Sequence, residues 1–233
     1  MTKRVSVPAR RAAAAILALP GAGCFAWFAA LLLNGKCIFN IFDLAGMSGL
    51  VGLPLGAAAL LLASTLPRET DKRLVSRLFF GAALAFYTIA LAYLLFLSGW
   101  RSNGMNRALP FDEYFRAATN FVPFGTVAQY MRALAEERVS FRIVFDNLAG
   151  NLALFAPMGL LLPCLFRRQR KFGWFLLTML AALLLVEGGQ LFLRVGSCDV
   201  DDLLLNLAGA LLFFGLWKLP PLRGLWARLH LLP

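Results

Sequence analysis

Histidine, acid and charge are what this 233-residue chain has least of. It carries one histidine, His230, and 12 acidic residues against 23 Lys and Arg, and charged residues make up only 15% of it. A single imidazole near the carboxyl end excludes a zinc-peptidase site and leaves no Ser-His-Asp or Cys-His set to assemble. No glycine loop of the phosphate-cradling kind is present either. Four cysteines are too few for a disulfide scaffold. Cys24 and Cys164 fall inside apolar runs and read as small buried groups. Cys37 and Cys198 fall outside such runs, on one predicted side of the chain, and the sequence does not show that they meet.

What the chain does have is oil. Hydrophobic residues account for 60% of it and the mean hydropathy is +0.73, which defines an integral membrane protein. The net charge of +11 does not indicate nucleic acid, because the bases come in short clusters between apolar runs and not on one aromatic-interleaved face. A spanning helix needs about 20 apolar residues. Six stretches qualify: Ala12–Leu33, Leu44–Leu66, Leu78–Gly99, Leu148–Phe166, Phe172–Phe192 and Leu203–Leu219. The predicted fold is all-α and polytopic, with about six transmembrane helices in a single membrane domain over residues 1–233. Lys3, Arg4, Arg10 and Arg11 precede the first stretch as in a signal peptide. Apolar sequence runs on past Cys24 to Leu33, however, so we read a retained span.

Lys and Arg also give an orientation. They gather in the amino-terminal tail, at Arg68, Lys72, Arg73 and Arg77, at Arg167, Arg168, Arg170 and Lys171, and at Lys218, Arg223 and Arg228. The rule that cytoplasmic loops hold the basic excess then predicts both termini on the cytoplasmic side of the membrane. The segment from Arg101 to Asn147 lies on the opposite side. Its scattered Phe111, Tyr114, Phe115, Phe121, Phe124, Tyr130, Phe141 and Phe145 predict short amphipathic helices on the outer leaflet between helices three and four. Pro123 should break any helix there, making Asn120-Phe121-Val122-Pro123-Phe124 a hinge or re-entrant dip.

Against this background three polar groups stand out. Asn147 and Asn151 sit one turn apart at the start of helix four. Glu187 and Gln190, at i and i+3, share a face near the end of helix five. Asp199 and Asp202 lead into helix six, with Asn206 one turn further on. All belong to the predicted outer leaflet. Polar groups within membrane-length segments are costly and are functional-site candidates by default. Blander readings stand beside this one. Asp201 or Asp202 would cap the first turn of helix six, and the asparagines would serve as interhelical glue. Glu187 is the hardest to dismiss. A carboxylate several residues inside an apolar run should be neutral, paired with Arg194, or beside a cation.

Four pieces of this pattern resemble the VanZ-like family of bacterial membrane proteins. They are Asn120-Phe121-Val122-Pro123-Phe124; Asn147-Leu148-Ala149-Gly150-Asn151 with Phe155, Pro157, Gly159 and Pro163; Glu187-x-x-Gln190; and Asp199-x-x-Asp202-x-x-x-Asn206-x-x-Gly209. In that order they cover about Asn120 to Gly215. The family often has Gly-Arg just before the first Asp, where this chain has Gly196-Ser197-Cys198. The resemblance divides the chain into scaffold helices over residues 1–100 and a VanZ-like region over 101–219. It implies an association with resistance to lipid-bearing glycopeptides such as teicoplanin.

The functional expectation is a polar pocket open to the outer face, formed by Asn120, Asn147, Asn151, Glu187, Gln190, Asp199, Asp202 and Asn206. It would bind or act on a membrane lipid or lipid-linked envelope component. The alternative is a membrane enzyme in which Glu187 and Asp202 act as acid, base or cation ligands on a lipid head group. Such a cation would be an oxygen-ligated divalent one, since hard oxygens suit magnesium or calcium and no zinc ligand is at hand. A proton-coupled transporter is less favoured, because the polar residues do not continue to the inner face.

Overall fold

A computed structural model of the chain describes residues 6–34, 41–98 and 108–230, and these are overwhelmingly helical. Lys3, Arg4, Cys37 and Arg101, which figured in the orientation and cysteine readings, lie outside the described residues. The chain divides into two compact units, one of residues 1–88 with 218–233 and one of residues 89–217.

In the first unit, helix α1 (Val7–Leu33) packs along α2 (Ile41–Ala63). Their approach depends on Gly21, where a methyl group would meet the Leu55 Cγ at 2.8 Å and the Val51 carbonyl at 2.9 Å. Helix α3 (Glu69–Ala92) begins nine residues before the expected apolar stretch. Apolar counting misses its polar first turn, where Glu69 and Asp71 favour the helix N-terminus and Lys72 pairs with Glu69 at 2.6 Å. The short helix α10 (Pro220–Arg228) starts on Pro220 and Pro221, whose missing N–H groups are no loss in a first turn.

The second unit opens with a loosely wound turn of π-helix, Tyr93–Ser98. Helix α4 (Phe111–Ala118) then runs into a two-residue strand β1 (Thr119–Asn120), and α5 (Gly125–Ala135) follows. Pro123 falls between α4 and α5, so the break expected there is present. Helix α6 (Phe141–Leu154) is capped by the Ser140 hydroxyl, and α7 (Met158–Leu165) continues it after an interruption at Phe155-Ala156-Pro157. A 3-10 turn (Arg167–Arg170) leads to α8 (Phe172–Leu193), strand β2 (Cys198–Asp199) and α9 (Val200–Lys218). Strands β1 and β2 pair in parallel, Thr119 opposite Cys198 and Asn120 opposite Asp199.

Among the described residues five stretches are long and apolar enough to cross a membrane: Val7–Leu31, Glu69–Leu97, Phe141–Leu165, Phe172–Leu193 and Val200–Lys218. The remaining expected span, Leu44–Leu66, coincides with α2, in which Ser48–Ala63 forms a shorter apolar helix. The protein is an all-α multi-pass membrane protein.

The interior of the second unit is Tyr114, Phe175, Met179 and Leu183, all essentially inaccessible, with Phe175 stacked on Phe214 at 4.4 Å between ring centroids. Two glycines let α9 lie directly on α6 and α7. A methyl on Gly209 would overlap the Leu152 carbonyl, and one on Gly159 would overlap the Ala210 carbonyl. Small residues at such crossings are the general device by which helices approach closely in lipid. Here they bring the start of α9 against α6, where Asn151 meets Asp202.

Candidate functional site

Four carboxylates gather where α8 ends and α9 begins. Glu187 is 5% exposed, Asp199 7% and Asp201 1%, while Asp202 is half-buried. Each is held by a different part of the unit.

Asp201 has the most complete set of partners. Its two oxygens accept the Phe124 N–H at 2.5 Å and the Val127 N–H at 3.0 Å, the free donors at the start of α5. Phe124, the residue in the cap position, sits in the left-handed region at φ 61° and offers no side-chain bond of its own. A carboxylate 77 positions later supplies the cap, with favourable charge toward the helix dipole. The capping role expected for this acid is therefore real, but the helix it caps is α5 and not its own.

Asp199 caps α9. Its Oδ1 accepts the Asp201 N–H at 2.8 Å. Its Oδ2 takes the Thr126 hydroxyl at 2.5 Å, and the Asn120 amide donates to the same carboxylate at 3.3 Å. Asn120 also donates to the Thr126 hydroxyl oxygen at 2.8 Å and accepts the Val122 N–H at 3.0 Å, which closes the turn before Pro123. The Asp199 backbone N–H donates to Glu187 Oε2 at 3.2 Å, tying the last turns of α8 to β2. Asp202 accepts from the Asn151 amide on α6.

This arrangement unites Asn120, Asn151, Glu187, Asp199 and Asp202. Asn206 lies next to them: its amide nitrogen reaches back one turn to the Asp202 carbonyl at 2.7 Å, and its oxygen is buried without a partner. Two of the sequence candidates point elsewhere. The Asn147 amide is exposed and donates to Ile143 O of its own helix at 2.7 Å, and Gln190 donates to Leu95 O of the π-helical turn at 3.1 Å. The i, i+3 spacing put Glu187 and Gln190 on one face, yet that face has two neighbours and each residue meets a different one.

Arg194, the basic partner considered for Glu187, ends α8 in the left-handed conformation. It donates to Leu109 O at 2.7 Å and lies over the rings of Phe111 and Tyr114. Tyr114 in turn donates to Gly196 O at 2.5 Å, locking α4 onto the loop that follows α8.

Thr126 and Tyr130, one turn apart on α5, are the site residues that sequence reasoning missed. Burial, and then the charges of Asp202 and Asp199, hold the Tyr130 phenol above its usual value, so the hydroxyl keeps its proton near the acids. Cys198 is a free thiol, raised by burial and then by Glu187 and Asp199. Among the described residues no group of three His, Cys, Asp or Glu side chains is placed to hold a metal ion.

Helices of membrane length, with a polar cluster built from widely separated segments among them, define a polytopic membrane protein. The chain belongs to the VanZ/LLP1 family, whose model matches residues 84–222, well over half of its length. The match begins in α3, some 36 residues before the motifs that carried the sequence resemblance. No curated protein and no solved structure matches the chain.

Proposed function

We propose that the protein binds a cell-envelope amphiphile or lipid-linked component through the acidic cluster, in a pocket open to the outer face of a bacterial cytoplasmic membrane, and that glycopeptide resistance is the context in which it acts. The observation that carries this reading is a division of labour among the acids. Asp199 and Asp201 are occupied by the donors that fix α5 and α9, whereas Glu187 and Asp202 each accept one bond and retain acceptor capacity. Phe121, Val122 and Phe124, exposed in the segment that Asp201 clips, supply apolar surface for the oily part of such a ligand. The basic clusters support cytoplasmic termini, which turns the acids outward.

A second reading, a membrane enzyme working on a lipid head group, has its support in Tyr130, a protonated hydroxyl near Asp202. Glu187→Gln and Asp202→Asn test the site. Each keeps shape and removes charge, so loss of the teicoplanin phenotype with a normal amount of protein in the membrane supports a working site. An unchanged phenotype in both variants reduces the cluster to packing.

A further inference from the structure

The first unit, which does not hold the acidic cluster, gathers positive charge at one end. Arg11 lies in the first turns of α1, Arg68 closes the connection from α2, Lys72, Arg73 and Arg77 lie in the first turns of α3, and Arg228 ends α10. Tertiary contacts draw these segments together. Arg11 Nε donates to the Thr65 hydroxyl, three residues before Arg68, at 3.4 Å, and His230, two residues after Arg228, meets Glu69 Oε2 at 3.1 Å. Glu69 and Asp71 are the acids in these segments, and Glu69 is already shared between Lys72, at 2.6 Å, and His230. Among the described residues no ion pair falls on Arg11, Arg68, Arg73 or Arg77.

The rule that cytoplasmic loops are basic accounts for the sign of this charge but not for its arrangement. Arg73 and Arg77, at i and i+4, share a face of α3, a like-charge spacing that by itself destabilises a helix. Arg77 is exposed between Leu74 and Leu78, which are 56% and 64% exposed, in the membrane-length stretch Glu69–Leu97. Leucines exposed on such a helix face lipid, so this arginine stands at the edge of the hydrocarbon without a protein anion beside it, a costly position. Side chains of a helix lean toward its N-terminus, so the Arg77 stem can lie along the leucines while its guanidinium reaches back past Arg73 to the headgroup layer. The counter-ion that relieves the pair therefore belongs to a molecule whose body occupies the lipid beside Leu74 and Leu78. A zwitterionic headgroup brings a further cation with its phosphate; an anionic one does not.

We propose that Arg73 and Arg77, backed by Arg11 and Arg68, form a docking surface for anionic phospholipid, whose phosphate supplies the counter-ion while its acyl chains lie along Leu74 and Leu78. The proposal stands apart from the envelope-amphiphile reading and uses none of its residues.

The test presents the full chain in detergent with equimolar phosphatidylglycerol and phosphatidylethanolamine of matched acyl chains and reads the bound lipid by native mass spectrometry. A basic residue at a membrane surface is worth about a factor of five toward anionic lipid, so two predict a preference for phosphatidylglycerol of about 20-fold. Arg73→Gln and Arg77→Gln should each lower it about fivefold and the double glutamine variant should come near parity. The double lysine variant, which keeps the charge, should keep most of the preference. Arg116→Gln, on α4 of the other unit, should leave it unchanged. If the double glutamine variant does not fold, the two single variants carry the same comparison. Parity in the unaltered protein, a preference that survives the glutamine variants, or an equal fall in Arg116→Gln overturns the proposal. Displacement of the lipid by millimolar inorganic phosphate at constant ionic strength also overturns it, because the source is then a free anion. Retention of polyglutamate in place of the lipid, lost in the double glutamine variant, would make the face a docking site for an acidic protein and overturns it as well.

Discussion

The α1–α2 pair and the α5–α9 assembly are both made of packed helices, but different forces specify them. Along α1 and α2 the contacts are apolar, and the approach is set by a missing side chain at Gly21. Lipid is as oily as those surfaces, so nothing but close packing favours one fit over another, and many side-chain combinations would serve. Around α5 and α9 the fit is written in named pairs: Asp201 of α9 with two backbone N–H groups at the start of α5, Asp199 of β2 with Thr126 of α5 and Asn120 of β1, and Asp202 of α9 with Asn151 of α6. An unmet polar group in such a place is costly, so each pair excludes alternatives. The first region tolerates change; the second discriminates.

The largest effect that would probe this contrast comes from steric overlap. Gly209→Val drives a side chain into the Leu152 carbonyl, and a loss of about 4 kcal/mol or more should leave little folded protein. Gly23→Val on α1, where nothing lies within 4 Å, should be silent. Size-exclusion profiles of both variants check this, and a well-behaved Gly209→Val protein would show that α9 does not lie on α6 as described.

Next is the remote cap. Asp201→Ala removes two bonds to a charged acceptor and should cost about 3 kcal/mol, with faster amide exchange at Phe124 and Val127. Asp201→Asn, which keeps one acceptor oxygen, should lose less. Thermal melting with hydrogen-exchange mass spectrometry reads both; exchange confined to the start of α9 would mean that Asp201 serves its own helix after all.

A chemical probe sharpens the electrostatic side. Burial, then Glu187 and Asp199, raise the Cys198 thiol, which lowers its thiolate fraction at neutral pH. Its labelling by a maleimide should be slow at pH 7 and climb at a more alkaline pH than an exposed cysteine requires. Asp199→Asn removes one of the charges that raises it, so the rate at pH 7 should increase in that variant. A rate independent of both pH and this substitution would deny the acids any influence there. The smallest effect is expected at Asn147→Ala, within about 0.5 kcal/mol and without a phenotype, since its amide bonds only its own helix.

The membrane class, most helices and the break at Pro123 were legible because each depends on local composition or on one residue's covalent geometry. The involvement of Asn120, Asn151, Glu187, Asp199 and Asp202 could be suspected because polarity in oil is conspicuous. Their partners could not. Thr126 and Tyr130 sit in a segment where polar residues are ordinary, and only the contact with β2 and α9 sets them apart. Asp201 was read as a local cap because a sequence displays neighbours along the chain, whereas its donors lie 74 and 77 positions away. Gln190 and Asn147 mark the converse error, in which correct helical phase does not say which neighbour lies opposite.

The parallel pairing of Thr119–Asn120 with Cys198–Asp199 has a consequence for biosynthesis. Asn120 and its partner Asp199 are 79 positions apart. At ribosomal rates of about 5–20 residues per second, the first strand therefore waits on the order of ten seconds for the second to be made. During that interval α6, α7 and α8 must emerge and insert, and α5 has neither its cap nor its strand. The segment that becomes the most tightly tied part of the cluster is, for that period, without the contacts that hold it, and its resting place is decided only when β2 and α9 have been made.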